Sequence, residues 1–113
     1  MDIGKDLVAA SATPLVLAIL SEGESYGYAI IKLVHELSGG KMQWTDGMLY
    51  PVLHRMQKEE MLVSQWKISE EGRLRRYYKI TAKGRTELDK ERSQWRSVTR
   101  VLSKLWIPLP SLD

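Results

Sequence analysis

Six basic side chains, Arg73, Arg75, Arg76, Lys79, Lys83 and Arg85, fall between Gly72 and Thr86 with no acidic residue among them, in a chain of formal net charge +3. Such a run gains free energy beside a polyanion, because every phosphate it neutralises releases a condensed counterion. Nucleic acid is the simplest partner of that kind, and a solvated surface is the rival reading of any charge run. A second group lies upstream. If a helix from Thr45 buries Leu49, Val52, Leu53 and Met56, then at 100° per residue its opposite side shows Gly47, Pro51, His54 and Lys58, flanked by Met48, Tyr50 and Arg55. His54 and Arg55 can donate to base edges or phosphates, Lys58 can neutralise a phosphate, and Tyr50 offers a hydroxyl beside an apolar ring. Taken alone, that face is also what any surface helix presents.

The inventory for catalysis is thin. There is no cysteine, His35 and His54 fall in different segments, and neither a Gly-rich phosphate loop nor a metal-ligand pair at helical spacing occurs. Glu59-Glu60 and Glu70-Glu71 are adjacent pairs, which point apart instead of converging on one site. The reading is therefore a chain without enzymatic activity, metal or cofactor.

The elements that must position these residues can be read from periodicity. At 113 residues, 43% hydrophobic and 27% charged, the composition is that of one ordinary globular domain. A first helix is expected over Leu7 to Leu20, apolar nearly all round in its second half, with Pro14 as a candidate restart. Ser25 is the expected N-cap of a second helix with the core stripe Ile30, Leu33, Val34 and Leu37, stopped by Gly39-Gly40. The third helix is capped by Thr45, and Pro51, whose ring opposes the Gly47 carbonyl, predicts a kink there or a start near Tyr50. Beyond Glu60 the period changes: Leu62, Trp66 and Ile68 alternate with Val63, Gln65 and Lys67, a turn follows at Glu70 to Gly72, and Arg75 to Ile80 return as a second strand. Tyr77 and Tyr78 are expected to split between the two faces of that strand. Thr81 caps a long last helix in which Leu88, Trp95 and Leu102 lie seven apart, with Val98 and Leu105 in the other seam position, a pattern suited to helix-to-helix pairing. The fold class predicted is mainly α with a small β-hairpin: a winged helix-turn-helix over residues 1–80 and a long C-terminal dimerisation helix and tail over 81–113, one structural domain overall.

Three separated segments, Ser25 to Ile30, Thr45 to Met56 and Arg75 to Thr81, resemble in order and spacing the PadR family of bacterial transcriptional regulators, and the likeness runs from about Leu15 to Trp95. A single C-terminal helix resembles the family's smaller subgroup. The resemblance implies a homodimer on double-stranded DNA at a near-palindromic operator, usually as a repressor. It implies that Tyr26, the start of the third helix, Tyr50, His54 and Arg55 face DNA, while Arg73, Arg75 and Arg76 reach the flanking backbone or minor groove. The C-terminal helix and N-terminal segment, through Leu7, Val8, Leu88, Trp95, Val98, Leu102 and Leu105, would form the dimer contact. Trp95 would line an interface cavity for a small planar aromatic effector by stacking and apolar burial, or simply fill the interface. Three positions depart from the family pattern: Met48 where a hydroxyl residue is common, Glu60 where a helix-ending glycine is usual, and Leu74 inside the basic run.

Two rivals keep the same fold: a protein-interaction adaptor using the winged-helix surface or last helix, and an RNA-binding module. The longest apolar stretch, about Pro14 to Leu20, is too short for a bilayer, and residues Met1 to Asp6 lack a secretory charge pattern. A cytoplasmic location with no membrane partner is expected, in keeping with the missing cysteines.

Overall fold

A computed structural model describes residues 3–106. The chain runs α1 (Lys5–Ser21), β1 (Ser25–Tyr26), α2 (Gly27–Leu37), α3 (Asp46–Lys58), β2 (Leu62–Ile68), β3 (Leu74–Ile80) and α4 (Ala82–Trp106). The expected helix and hairpin order holds, with one element added.

α1 is the central post. Ala12, Val16, Leu17 and Leu20 are buried along it, and it continues through Pro14 without a break. In α2, Gly27, Ile30 and Val34 are buried. Leu33 is more exposed and Leu37 is 74% exposed, so the apolar stripe read from spacing is only half core. Only the neighbours packed on a helix decide how wide its buried face is. The helix closes on Gly39 in the left-handed region, φ 64°. Its N–H donates to the Glu36 carbonyl at 3.1 Å and that of Gly40 to the His35 carbonyl at 2.8 Å, a pair of bonds that satisfies the last turn.

Ser25 does not cap α2. The N-cap is Tyr26, in extended conformation and without a side-chain cap bond, because Ser25 and Tyr26 pair with Tyr78 and Tyr77 as a third, two-residue strand. The sheet order is β1-β3-β2. A strand this short leaves no periodicity; its existence depends wholly on an exposed edge of β3 lying alongside.

α3 begins at Asp46, with the Thr45 hydroxyl accepting from the Met48 N–H at 3.2 Å. Pro51 sits inside the helix, which neither starts at Tyr50 nor ends there. Leu49, Leu53 and Met56 are fully buried beneath it. Its end has the same geometry as that of α2, with Glu60 in place of glycine: Glu60 N–H to Gln57 O at 3.0 Å, Met61 N–H to Met56 O at 2.9 Å, and φ 63° at Glu60. Buried Met61 against buried Met56 supplies the apolar contact that accompanies this cap.

β2 and β3 pair from Leu62 with Ile80 to Ile68 with Leu74. Even-numbered side chains share one face, and at its base Leu62, Tyr78 and Ile80 are buried in the core, whereas Tyr77, on the other face, is half-buried. Thr81 locks the hairpin base to both neighbouring helices. Its hydroxyl donates to the Glu60 carbonyl at 2.7 Å and accepts from the Gly84 N–H at 3.0 Å, capping α4. Gly84 lies so close to the chain that a Cβ there would stand 2.3 Å from the Met61 carbonyl oxygen. α4, 25 residues and about 37 Å long, packs on α1 through Leu88 and then projects. The described residues measure 58 × 30 × 23 Å along their principal axes.

Candidate nucleic-acid interface

The outer face of α3 carries Gly47, Pro51, His54 and Lys58, all exposed, with Tyr50 about half exposed at one edge. The Tyr50 hydroxyl leans towards the start of α2, where a Cβ on Gly27 would come within 3.3 Å of it. Thr45, also exposed, uses its hydroxyl oxygen as the cap acceptor and keeps its proton for an outside acceptor. These residues form a continuous polar ridge. Lys58 stands in the last turn, where the helix dipole favours a cation.

Two residues expected on this ridge turn elsewhere. Met48 is half-buried and packs against the core beside α1, because at its position on the helix the apolar side of α1 is nearer than solvent. Arg55 is held by α1 and its own helix: Nη2 donates to the Thr13 hydroxyl at 2.6 Å and Nη1 to Glu59 Oε1 at 3.1 Å. Half of its side chain stays exposed, so it borders the ridge.

The hairpin cations divide in the same way. Arg75 lies 4.3 Å over the Tyr26 ring and 3.7 Å from Glu71, with its side chain 22% exposed. Tyr26, half-buried, meets Tyr77 edge-on at a centroid distance of 5.5 Å. Lys67 pairs with Glu24 and stands 4.7 Å over the Tyr77 ring. Arg76 reaches the other face, where its Nε donates to Ser64 Oγ at 2.9 Å and its Nη2 approaches Gln57 Oε1 at 3.4 Å. Burial raises the Tyr78 phenol above its ordinary pKa, against the opposing charge of Arg76 5.7 Å from the ring. The basic run thus has partners that lie outside it in sequence. Arg73 and Lys79 are exposed and have no ionic partner among the described residues. Lys58 on the ridge, and Lys83 and Arg85 in the first turns of α4, are likewise exposed and without an ionic partner among the described residues.

Glu24, Gln57, Ser64 and Lys67 escaped the reading of the chain, although the turn at Glu70 to Gly72 sets a register in which Ser64 and Arg76 must share a face. That turn is firm: the Ser69 N–H donates to the Arg73 carbonyl at 2.7 Å, the Arg73 N–H to Ser69 Oγ at 3.1 Å, and Gly72 takes φ 81°. Beyond the core the same face exposes Trp66, Ile68 and Leu74.

The expected dimer residues also separate. Leu88 is enclosed within its own chain and Val8 packs partly against the core. Leu7, Val98 and Leu105 are exposed, and Trp95 and Leu102 are half-buried. Trp95, Leu88, Leu7, Pro14, Leu15 and Ala18 line a groove of about 380 Å³ between α1 and α4, with Glu91 and Arg92 beside it. Among the described residues no cluster of acidic and histidine side chains could hold a metal ion, and no helix is long and apolar enough to cross a membrane.

Three helices, a β-hairpin hung from the third, and an exposed α3 ridge with cations on the hairpin beside it define a winged helix-turn-helix of the DNA-binding regulator class. The chain belongs to the PadR-like transcriptional regulator family, whose model matches residues 16–90. It is similar to a PadR-like transcriptional regulator of Bacillus cereus, with a TM-score of 0.81 and 28% identity over 93% of this chain and 100% of that one. A transcriptional regulator of Clostridium thermocellum gives a TM-score of 0.80 at 26% identity, covering 90% and 99% of the two chains. A transcriptional regulator of Mycobacterium tuberculosis is 37% identical over 68 residues, 60% of this chain and 63% of that protein.

Proposed function

We propose that this regulator works as a homodimeric repressor, reading a near-palindromic operator with α3 and gripping the flanking backbone with the hairpin. The observation that carries the reading is the α3 ridge itself: Gly47, Pro51, His54 and Lys58 exposed side by side on a capped helix, with Lys58 and, on the hairpin, Arg73 free of ionic partners among the described residues. One such unit makes few base contacts. Two units spaced by one helical turn, about 34 Å, double them and impose the symmetry. In this reading residues 1–80 bind DNA, and α4, with Leu7, Trp95, Val98, Leu102 and Leu105, joins the protomers; residues 107–113 of the arm lie outside those described. A flat aromatic effector would sit in the α1/α4 groove against Trp95, its binding shifting the spacing of the two reading helices.

The test is a mobility shift of genomic fragments over a salt series. Selective retention at low salt is expected, with a log-log slope that Lys58→Ala lowers by about 1.8 if each of the dimer's two Lys58 ammoniums displaces one counterion. No retained fragment at any salt would overturn the proposal and favour a protein-interaction adaptor. The apolar strip Trp66, Ile68 and Leu74 is the observation on that side. For the effector, Trp95→Ala should still bind the operator yet no longer release it when a planar aromatic is added; a full response would remove Trp95 from that role.

A further inference from the structure

Arg76 has been counted with the DNA-facing cations, yet its surroundings give it other work. Its guanidinium Nε donates to Ser64 Oγ, that hydroxyl donates to Gln57 Oε1 at 2.8 Å, and Nη2 approaches the same amide oxygen at 3.4 Å. Three elements, α3, β2 and β3, thus meet in one polar bridge. Register places Arg76 opposite Trp66 on the sheet face that turns towards α3, next to buried Tyr78.

Past this bridge, among the described residues, no hydrogen bond or ion pair joins the hairpin to α3. Trp66, Ile68 and Leu74 continue the same face outward and are exposed, so no core lies under the distal half. Thr81 ties only the base, through the Glu60 carbonyl. Among the described residues, Gln57 supplies the side-chain hydrogen bonds that link α3 to β2 and β3. The opposite face is tied by the β1 pairing, by Lys67 to Glu24 and by Arg75 on the Tyr26 ring, so the bridge is what sets how far the hairpin leans on its α3 side, and Arg73 at the tip moves with that lean.

We infer that Arg76 is a positioning residue: through Ser64 and Gln57 it sets the angle of the β2–β3 hairpin on the reading helix, so that other cations meet phosphates. The inference rests on the DNA-binding reading above. It has a chemical signature, because a planar guanidinium offers two N–H groups in fixed directions and an ammonium does not. A phosphate would accept either cation. The Ser64–Gln57 acceptor pair needs the fork.

The experiment measures operator-fragment affinity by fluorescence anisotropy across a salt series for the native chain, Arg76→Lys, Arg76→Ala, Gln57→Ala, Ser64→Ala, Arg73→Ala and the double variant Arg73→Ala with Arg76→Lys. Thermal unfolding shows that each variant is folded. Positioning predicts that Arg76→Lys loses as much affinity as Arg76→Ala, about tenfold for a hydrogen-bonded charged group. It also predicts that Gln57→Ala lowers the salt slope although it removes no charge, and that Arg73→Ala costs little more once Arg76 is Lys. Native-like affinity of Arg76→Lys, or full additivity with Arg73→Ala, would overturn it in favour of a direct phosphate contact. Amide hydrogen exchange provides a readout without DNA: protection in residues 65–75 should fall in Arg76→Lys and Ser64→Ala. Unchanged protection overturns the bridge even if DNA is bound. A native chain that holds no fragment overturns the DNA reading instead, and exchange still decides the bridge.

Discussion

Replacing Gly84 by alanine sets two effects against each other, and the structure decides the sign. Near the start of α4, alanine would gain up to about 1 kcal/mol in helix propensity over glycine. The added Cβ, however, would stand 2.3 Å from the Met61 carbonyl oxygen and 2.7 Å from Ile80 Cγ1. The first neighbour is backbone and cannot rotate away. To restore ordinary contact near 3.4 Å, α4 must retreat by about 1 Å. That movement strains the Thr81 N–H bond to Met61 O at 3.1 Å and the Thr81 hydroxyl bond to Glu60 O at 2.7 Å. Overpacking costs about 1–3 kcal/mol, and each weakened hydrogen bond about 1 kcal/mol. The net expectation is a loss of roughly 2 kcal/mol, or a melting temperature lower by about 8 °C in a chain of this size. Urea and thermal unfolding at one fixed protein concentration measure it, since association would otherwise shift the midpoint. A Gly84→Ala protein as stable as the native one, or more so, would show that α4 and the hairpin base do not approach as closely as described.

Glu60→Gly should act in the opposite direction, raising stability by about 1 kcal/mol, because Glu60 carries φ 63° at a helix end that glycine adopts without strain; an unchanged or lower melting point would contradict the cap geometry. Thr45→Ala removes the acceptor of the Met48 N–H and should cost about 1 kcal/mol, with faster amide exchange confined to the first turn of α3; protection lost evenly over the chain would argue against a local cap. The Glu71 carboxyl is held below its ordinary pKa by a backbone hydrogen bond first, then by the Ser69 hydroxyl and by Arg75. With the folded value depressed, its contribution is complete above the ordinary glutamate pKa and disappears as pH falls through the lower folded one. An NMR titration of Glu71 should therefore show a low midpoint that Arg75→Ala moves upward, and a midpoint indifferent to that substitution would remove Arg75 from the turn.

Elements whose residues interact with near neighbours were legible in the chain. The Thr45 and Thr81 caps, the buried set Leu49, Leu53 and Met56 with Val52 only partly buried, the turn at Glu70 to Gly72 and the split of Tyr77 from Tyr78 all follow from spacings of a few residues. Even the departure at Glu60 was visible as a residue standing where glycine is usual. Apart from the α3 start near Tyr50, which Pro51 suggested and the helix from Asp46 overrides, what failed has one cause. β1, the half-exposed stripe of α2, the inward turn of Met48 and the enclosure of Leu88 each depend on a segment remote in sequence.

Sequence alone therefore determined the four helices and the two hairpin strands, the order that makes a winged helix, and which face of α3 is exposed, because periodicity and capping are properties of contiguous residues. It also located the positive charge. Only the tertiary structure decided where that charge is spent: Arg55 is claimed by Thr13 42 positions away, Arg75 by the Tyr26 ring, and Arg76 by Ser64 and Gln57. A cation's partners are set by distances of a few ångströms in space, which the order of residues does not specify until the chain has folded.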